Sequence, residues 1–215
     1  MSLSYRALRR KGFQEYTNVK FTGPKVKKSR ALGIALTPKA QRIMERRASR
    51  PGQHGRARQR RPSDYGMQLL EKQRLRFQYN ISESQMRKAY LAASRMSGST
   101  GDNLVQVLET RLDAVVHRAG FAPTIHAARQ YVNHGHFLVN GRKANIPSQR
   151  LKPGDVVSVR PRSRDKVMFA DVRPSDVPYL EVDPGNLTIT VTSLPRRDEV
   201  PVICAESLVV EYYSR

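Results

Sequence analysis

Apolar residues recur at helical spacing in four stretches of the chain, each with its own start and stop signals. Ser63 and Asp64, just past Pro62, can cap a helix running to about Tyr79, with Lys72, Arg74 and Arg76 projecting from its polar side. Ser82 and Gln85 have the spacing of a capping box, and Met86, Ala89, Tyr90, Ala93 and Met96 follow at the period of a buried helix face. A third helix is predicted from near Asp102, carrying Leu104, Leu108, Leu112 and Val115 on one face until Gly120 ends it. The fourth runs from Thr124 to His134, turns Ile125, Ala128, Tyr131 and Val132 inward, and stops at Gly135. The last two helices with their tight turn make a helix-turn-helix shape.

Beyond Gly135 the pattern becomes that of strands. Residues 137–139 read as a strand, Asn140 and Gly141 as a two-residue hairpin turn, Pro153 and Gly154 as another turn, and residues 156–160 as a further strand. A polar connection follows Pro161, then a strand at 187–192 and an apolar tail at 208–213. The small polar loop 97–101, with two glycines, marks a domain boundary. Residues 1–62 behave differently: breakers are frequent and sustained periodicity is missing, apart from a short helical stretch at 39–48.

Charge changes the picture of that first region. The chain of 215 residues has 39 Lys and Arg against 18 Asp and Glu, a formal net charge of +21. Residues 1–62 alone hold 18 cations against only Glu15 and Glu45. So large an excess calls for a polyanionic partner, nucleic acid or anionic membrane. No stretch approaches a membrane span and no apolar signal core follows Arg6, Arg9, Arg10 and Lys11, which removes the membrane. The basic region is too poor in apolar residues to fold alone, so extended segments that order on RNA are expected there. From Asp176 onward seven acids face three arginines, which suits packing on protein. Cys204 is the only cysteine, so disulfides and cysteine-based zinc sites are excluded and an intracellular protein is the simplest reading.

Two segments carry the candidate chemistry. In PGQHGRARQRRPSDYG, residues 51–66, two glycines allow close backbone approach to phosphates while Arg56, Arg58, Arg60 and Arg61 supply planar forks that pair with phosphate bidentately. A solvated charge run is the plainer alternative. In residues 111–159, Arg111, Arg118, Arg129, Arg142 and Lys143 sit on a compact frame, with His134 and His136 flanking Gly135. A fixed array of cations on a small fold suits recognition of RNA by shape, through phosphates and 2′-hydroxyls. A helix in a DNA major groove is the rival, but the second helix offers only Arg129, Gln130 and Asn133 as base readers. The five histidines, His54, His117, His126, His134 and His136, show no ligand spacing backed by carboxylates, no nucleotide-binding fingerprint or hydrolase elbow is present, and Cys204 lies in an apolar setting. An enzyme is therefore not expected.

Arg111, Leu112 and Asp113, the Gly120 turn, the Gly135 and His136 corner, the hairpin at Val139, Asn140 and Gly141, and the turn at Gly154 and Asp155 together resemble the S-four RNA-binding module. That module also occurs in some pseudouridine synthases, tyrosyl-tRNA synthetases and heat-shock RNA-binding proteins. The flanks narrow the resemblance. PGQHG at 51–55, SDYG at 63–66, LLEKQRLRFQY at 69–79, YLEVD at 179–183, LPRRDEVP at 194–201 and LVVEYYSR at 208–215 are similar to the bacterial S-four family of small-subunit ribosomal proteins. The likeness runs from about Phe21 onward and is interrupted around residues 163–177, where this chain looks shorter.

The resemblance implies an α+β fold: a mostly helical domain formed by 63–100 and 176–215, with the RNA-binding module inserted at 101–175 and a partly extended basic region at 1–62. It implies direct binding to the 5′ domain of small-subunit ribosomal RNA early in assembly, at a junction of several helices, in the cytoplasmic ribosome. It also implies contact with a neighbouring small-subunit protein at an interface that affects decoding accuracy, and with messenger RNA at the entry side; some members repress their own operon. Many relatives bind zinc through four N-terminal cysteines, which this chain lacks, so no cofactor is expected. Thr124 and His126 stand where Ser and Arg are common, so one phosphate contact is expected to be made differently. No counterpart is assigned to residues 1–20. The expected RNA contacts are Arg42, Arg46, Arg47, Arg50, His54, Arg56, Arg58, Arg60, Arg61, Tyr65, Lys72, Arg74, Arg76, Arg111, Arg118, Arg129, His134, His136, Asn140, Arg142 and Lys143.

Overall fold

The computed structural model of the chain describes residues 21–57, 61–170, 172–174 and 176–215. In chain order these form α1 (Lys25–Leu32), α2 (Pro38–Arg46), α3 (Asp64–Gln78), α4 (Glu83–Ala93), α5 (Thr100–Glu109), α6 (Leu112–Arg118) and α7 (Ile125–Asn133). Strands β1 (Phe137–Val139), β2 (Arg142–Ala144) and β3 (Val156–Val159) follow, then β4 (Leu180–Asp183), β5 (Thr188–Val191) and α8 (Glu206–Tyr213). The strands form one antiparallel sheet in the order β2-β1-β3-β5-β4. This is the α+β class that the resemblance implies.

Local chemistry accounts for most helix starts. Thr37, Ser63, Ser82, Ser99 and Thr124 each accept a hydrogen bond from a backbone N–H in the first turn, and the Ser82 and Gln85 capping box is complete in both directions. Each such cap contributes about 1 kcal/mol to its helix. Asn140, at φ 49°, and Gly141, at φ 75°, make the hairpin turn between β1 and β2. Gly120, at φ 79°, closes the turn after α6, and a Cβ there would collide with the Arg173 carbonyl, so the later chain crosses directly over it.

Four expectations need correction. The single helix predicted from Asp102 to Gly120 is two helices, α5 and α6, broken at Thr110 and Arg111. The Thr110 hydroxyl returns to the Gln106 carbonyl, Arg111 is extended, and the N–H groups of Leu112 and Asp113 donate to the carbonyls of Gln149 and Pro147. A distant loop thus captures the donors that would have continued the helix. The apolar tail at 208–213 belongs to a helix, α8, packed along α3. Residues 25–32, expected to be extended, form α1, which packs against α2 and on α3, where Leu32, Ile34 and Phe77 make a small separate core. The α3 face carrying Lys72 is buried rather than solvent-exposed.

The main core is continuous. It runs from Leu75 and Met86 through Leu104, Leu108 and Leu112 to Phe137, Val157, Ile189 and Val209, so that helices and sheet share one apolar interior.

Candidate nucleic-acid interface

The first basic surface is a cleft between α1 and the chain leaving α2. Arg30, Arg46, Arg47, Arg50 and Arg56, with Ser49, Gly52 and Gln53, line an open volume of about 550 Å³. Arg30 shapes it: its Nε and Nη2 donate to the Ser49 carbonyl at 3.0 and 2.7 Å, fixing the loop against α1. Gly55 packs against the Arg50 carbonyl, where a Cβ would collide, which closes the loop into a tight turn. Arg42, Arg46, Arg47, Arg50, His54, Arg56 and Arg61 are exposed and make no ion pair among the described residues. Arg58 and Arg60 lie outside the described residues. Tyr65 is half-exposed at the start of α3, its ring 5.8 Å from that of Tyr212.

Other predicted contacts face inward. Lys72 is buried, donating to Glu83 at 3.0 Å with its ammonium 4.2 Å from the centre of the Tyr212 ring. Arg76 reaches the same carboxylate at 3.4 Å, and Arg74 donates to Glu71 and to the Leu32 carbonyl. Arg111 pairs bidentately with buried Asp113, at 3.0 and 2.7 Å. Burial pushes the Asp113 carboxyl above its ordinary range, even though Arg111 and Arg129 pull it down. Arg129 donates to the Asn80 carbonyl at 2.9 Å.

Glu109 is the centre of a buried polar seam between the helices and the sheet. Fully buried, it accepts from the hydroxyls of Tyr79 and Tyr179 and from the guanidinium of Arg118. One carboxylate thereby ties the end of α3, the end of α6 and the entry to β4. Burial works to lower the Arg118 pKa, but Glu109 and the two tyrosines outweigh it and raise it. Burial and the Glu109 charge raise both tyrosines, which keeps them as donors.

The module's hairpin presents a second exposed group. Arg142 and Lys143 stand exposed on β2, and His134 is exposed beside Gly135. His136 is buried: its Nδ1 is 3.0 Å from the Ser163 hydroxyl, and burial, then nearby cations led by Lys166, lowers its pKa. Asn140 uses its side chain internally, accepting from the Val156 N–H and donating to Asp155. Arg160, which sequence reasoning passed over, donates to the Gly135 carbonyl at 3.1 Å and joins this corner. Among the described residues no group of three or more His, Cys, Asp or Glu is placed to hold a metal ion. Cys204 is half-buried, its thiol pushed up to about 12 by burial and by Glu206, so it is protonated and unreactive near neutral pH.

Residues 20–109 match the ribosomal protein S4/S9 N-terminal domain and residues 110–157 the S4 domain. The small ribosomal subunit protein uS4 of Streptomyces griseus is 55% identical over 199 residues, covering 89% of this chain and 97% of its own length. That of Micrococcus luteus is 54% identical over 198 residues, with 88% and 95% covered, and that of Thermobifida fusca 46% over 203 residues, with 92% and 100% covered. The chain belongs to the uS4 family of small ribosomal subunit proteins. As a uS4 protein it is a structural constituent of the cytoplasmic ribosome and not an enzyme. The uS4 N-terminal match contains the arginine cleft, and the S4 domain match contains the hairpin with Arg142 and Lys143.

Proposed function

We propose that this uS4 protein binds the 5′ domain of small-subunit ribosomal RNA directly and nucleates its assembly. The observation that carries the reading is the arginine cleft: five arginines converge on one open concavity with no carboxylate in its lining. Planar guanidinium groups in such a cleft pair with phosphates, and each contact releases condensed counterions. The exposed set, Arg42, Arg46, Arg47, Arg50, His54, Arg56 and Arg61 with His134, Arg142 and Lys143, makes these contacts. Lys72, Arg74, Arg76, Arg111, Arg118 and Arg129 act through the shape they hold. The same reading places neighbouring small-subunit proteins, at an interface that bears on accuracy, and messenger RNA near the entry site among its partners. It divides the chain into a helical unit of 63–100 and 176–215, an inserted module of 101–175 and a basic region of 1–62.

The test is filter binding of the full chain to a 5′-domain ribosomal RNA fragment, a transfer RNA and duplex DNA at several salt concentrations. The ribosomal fragment should bind tightest. The combined variant Arg46→Gln, Arg47→Gln, Arg50→Gln and Arg56→Gln should lower the slope of log affinity against log salt by about three units. Equal affinity for all three nucleic acids, or an unchanged slope, would overturn the reading.

A further inference from the structure

Between β3 and β4 the chain forms a strap that lies outside both matched domains, the later of which ends at residue 157. It contains two short 3-10 turns, Pro161–Ser163 and Val167–Phe169. A polar connection of this composition would ordinarily be a loose loop, yet this one is fastened at four points. The Arg160 N–H donates to the His136 carbonyl while its guanidinium donates to the Gly135 carbonyl. Ser163 is buried with its hydroxyl on the His136 ring. Phe169 is buried edge-on among Phe121, Tyr131, His136 and Phe137, with ring centres 5.8 to 6.5 Å apart. Arg173 and Pro174 lie across Gly120.

Between the fastenings the exposed charge is mostly basic. Arg162, Arg164 and Lys166 are exposed, and Asp165 is the only acid in residues 160–170. None of the three cations has an ion pair among the described residues. Lys166 and Arg162 stand near the corner of His134 and His136, close enough that both disfavour a charge on His136. Holding like charges in a fixed row costs self-repulsion that a loose loop would relieve. A row of this kind becomes favourable when a polyanion lies along it.

We infer that the strap of residues 160–170 is a second docking edge for RNA backbone phosphates, presented by Arg162, Arg164 and Lys166 and held in shape by Ser163 and Phe169. The inference rests on the reading of the chain as a ribosomal RNA-binding protein and adds a surface that reading does not need. RNA continuing past the exposed hairpin cations would meet the strap next, because Lys143 packs beside Gly135, whose carbonyl Arg160 holds.

The experiment compares two full-length variants with the wild type, using the 5′-domain ribosomal RNA fragment as probe. Replacing Arg162→Gln, Arg164→Gln and Lys166→Gln together should leave the unfolding midpoint unchanged, lower the salt slope by about two to three units and weaken binding on the order of tenfold or more. Ser163→Ala changes no charge; it should weaken binding by a smaller factor, because the row loses its tether to His136. An unchanged slope in the triple variant while the cleft variant loses slope would overturn the strap alone. No loss of slope in either would overturn both readings. If the triple variant loses slope but Ser163→Ala binds as the wild type does, the role given to the tether is wrong.

Discussion

The arginine cleft and the Glu109 seam use the same side chains to opposite ends. In the seam Arg118 is largely buried and meets a carboxylate that is itself fully buried, with two tyrosine hydroxyls completing the acceptor's needs. In the cleft Arg46, Arg47, Arg50 and Arg56 are exposed and face one another, backbone and solvent. The difference lies in the acids. A cation that meets a carboxylate on folding is committed to the fold, whereas one that meets none keeps its charge for a partner. Seam substitutions should therefore be read out in stability and cleft substitutions in salt dependence.

The largest effect expected is at the seam. Glu109→Gln keeps the shape but strands Arg118 without its counter-charge and takes away acceptor capacity from two buried hydroxyls. Removing one partner of a buried ion pair costs about 3–5 kcal/mol. Urea unfolding should show that loss as a lowered midpoint with the slope m unchanged. At low denaturant the folded fraction should bind RNA with the wild-type salt slope. A wild-type midpoint would mean that the seam does not hold the fold, and the contrast with the cleft would collapse.

How much of this division was legible in the sequence depends on how far apart the determinants lie. The capping box at Ser82 and Gln85 and the hairpin at Asn140 and Gly141 are complete within a few residues, and both appear where their patterns place them. The break between α5 and α6 was hidden because the groups that make it, the carbonyls of Pro147 and Gln149, come from a loop more than thirty positions later. Lys72 looked like one of a row of exposed cations on α3. Its burial is decided by Tyr212 on α8 and by Glu83, neither of which α3 itself announces. Helix α1 escaped notice because only Ser29 and Leu32 of its eight residues are buried, too few to make a periodic signal. The strap read as a polar connection because Phe169 is a lone aromatic whose neighbours are supplied by α7, β1 and the turn after α6.

A middle-sized effect sharpens the comparison at α8. Glu83 accepts from Lys72 at 3.0 Å and from the Tyr213 hydroxyl at 2.7 Å, and Arg76 lies at 3.4 Å, so this partly exposed carboxylate clasps the C-terminal helix onto α3. Glu83→Gln should cost about 2 kcal/mol, the range for hydrogen bonds to charged groups. Because the clasp is at one edge of the core, protease cleavage within residues 206–215 should accelerate before global unfolding does. Salt dependence of RNA binding should stay at the wild-type value. If the slope instead fell, Lys72 or Arg76 would be reaching phosphate after all, and the division between paired and unpaired cations would fail on α3.

The smallest effect is the most direct test of the cleft. Arg50 is exposed, has no ion pair among the described residues, and contributes to the fold only through its carbonyl, against which Gly55 packs and to which Arg30 donates. Arg50→Gln leaves that carbonyl in place, so the unfolding free energy should change by less than about 0.5 kcal/mol, as for surface positions generally. The slope of log affinity against log salt should nevertheless fall by about 0.9, the loss of one phosphate contact. A fall in stability without a change in slope would reverse the assignment, making Arg50 part of the scaffold and shifting the phosphate contacts to Arg46, Arg47 and Arg56.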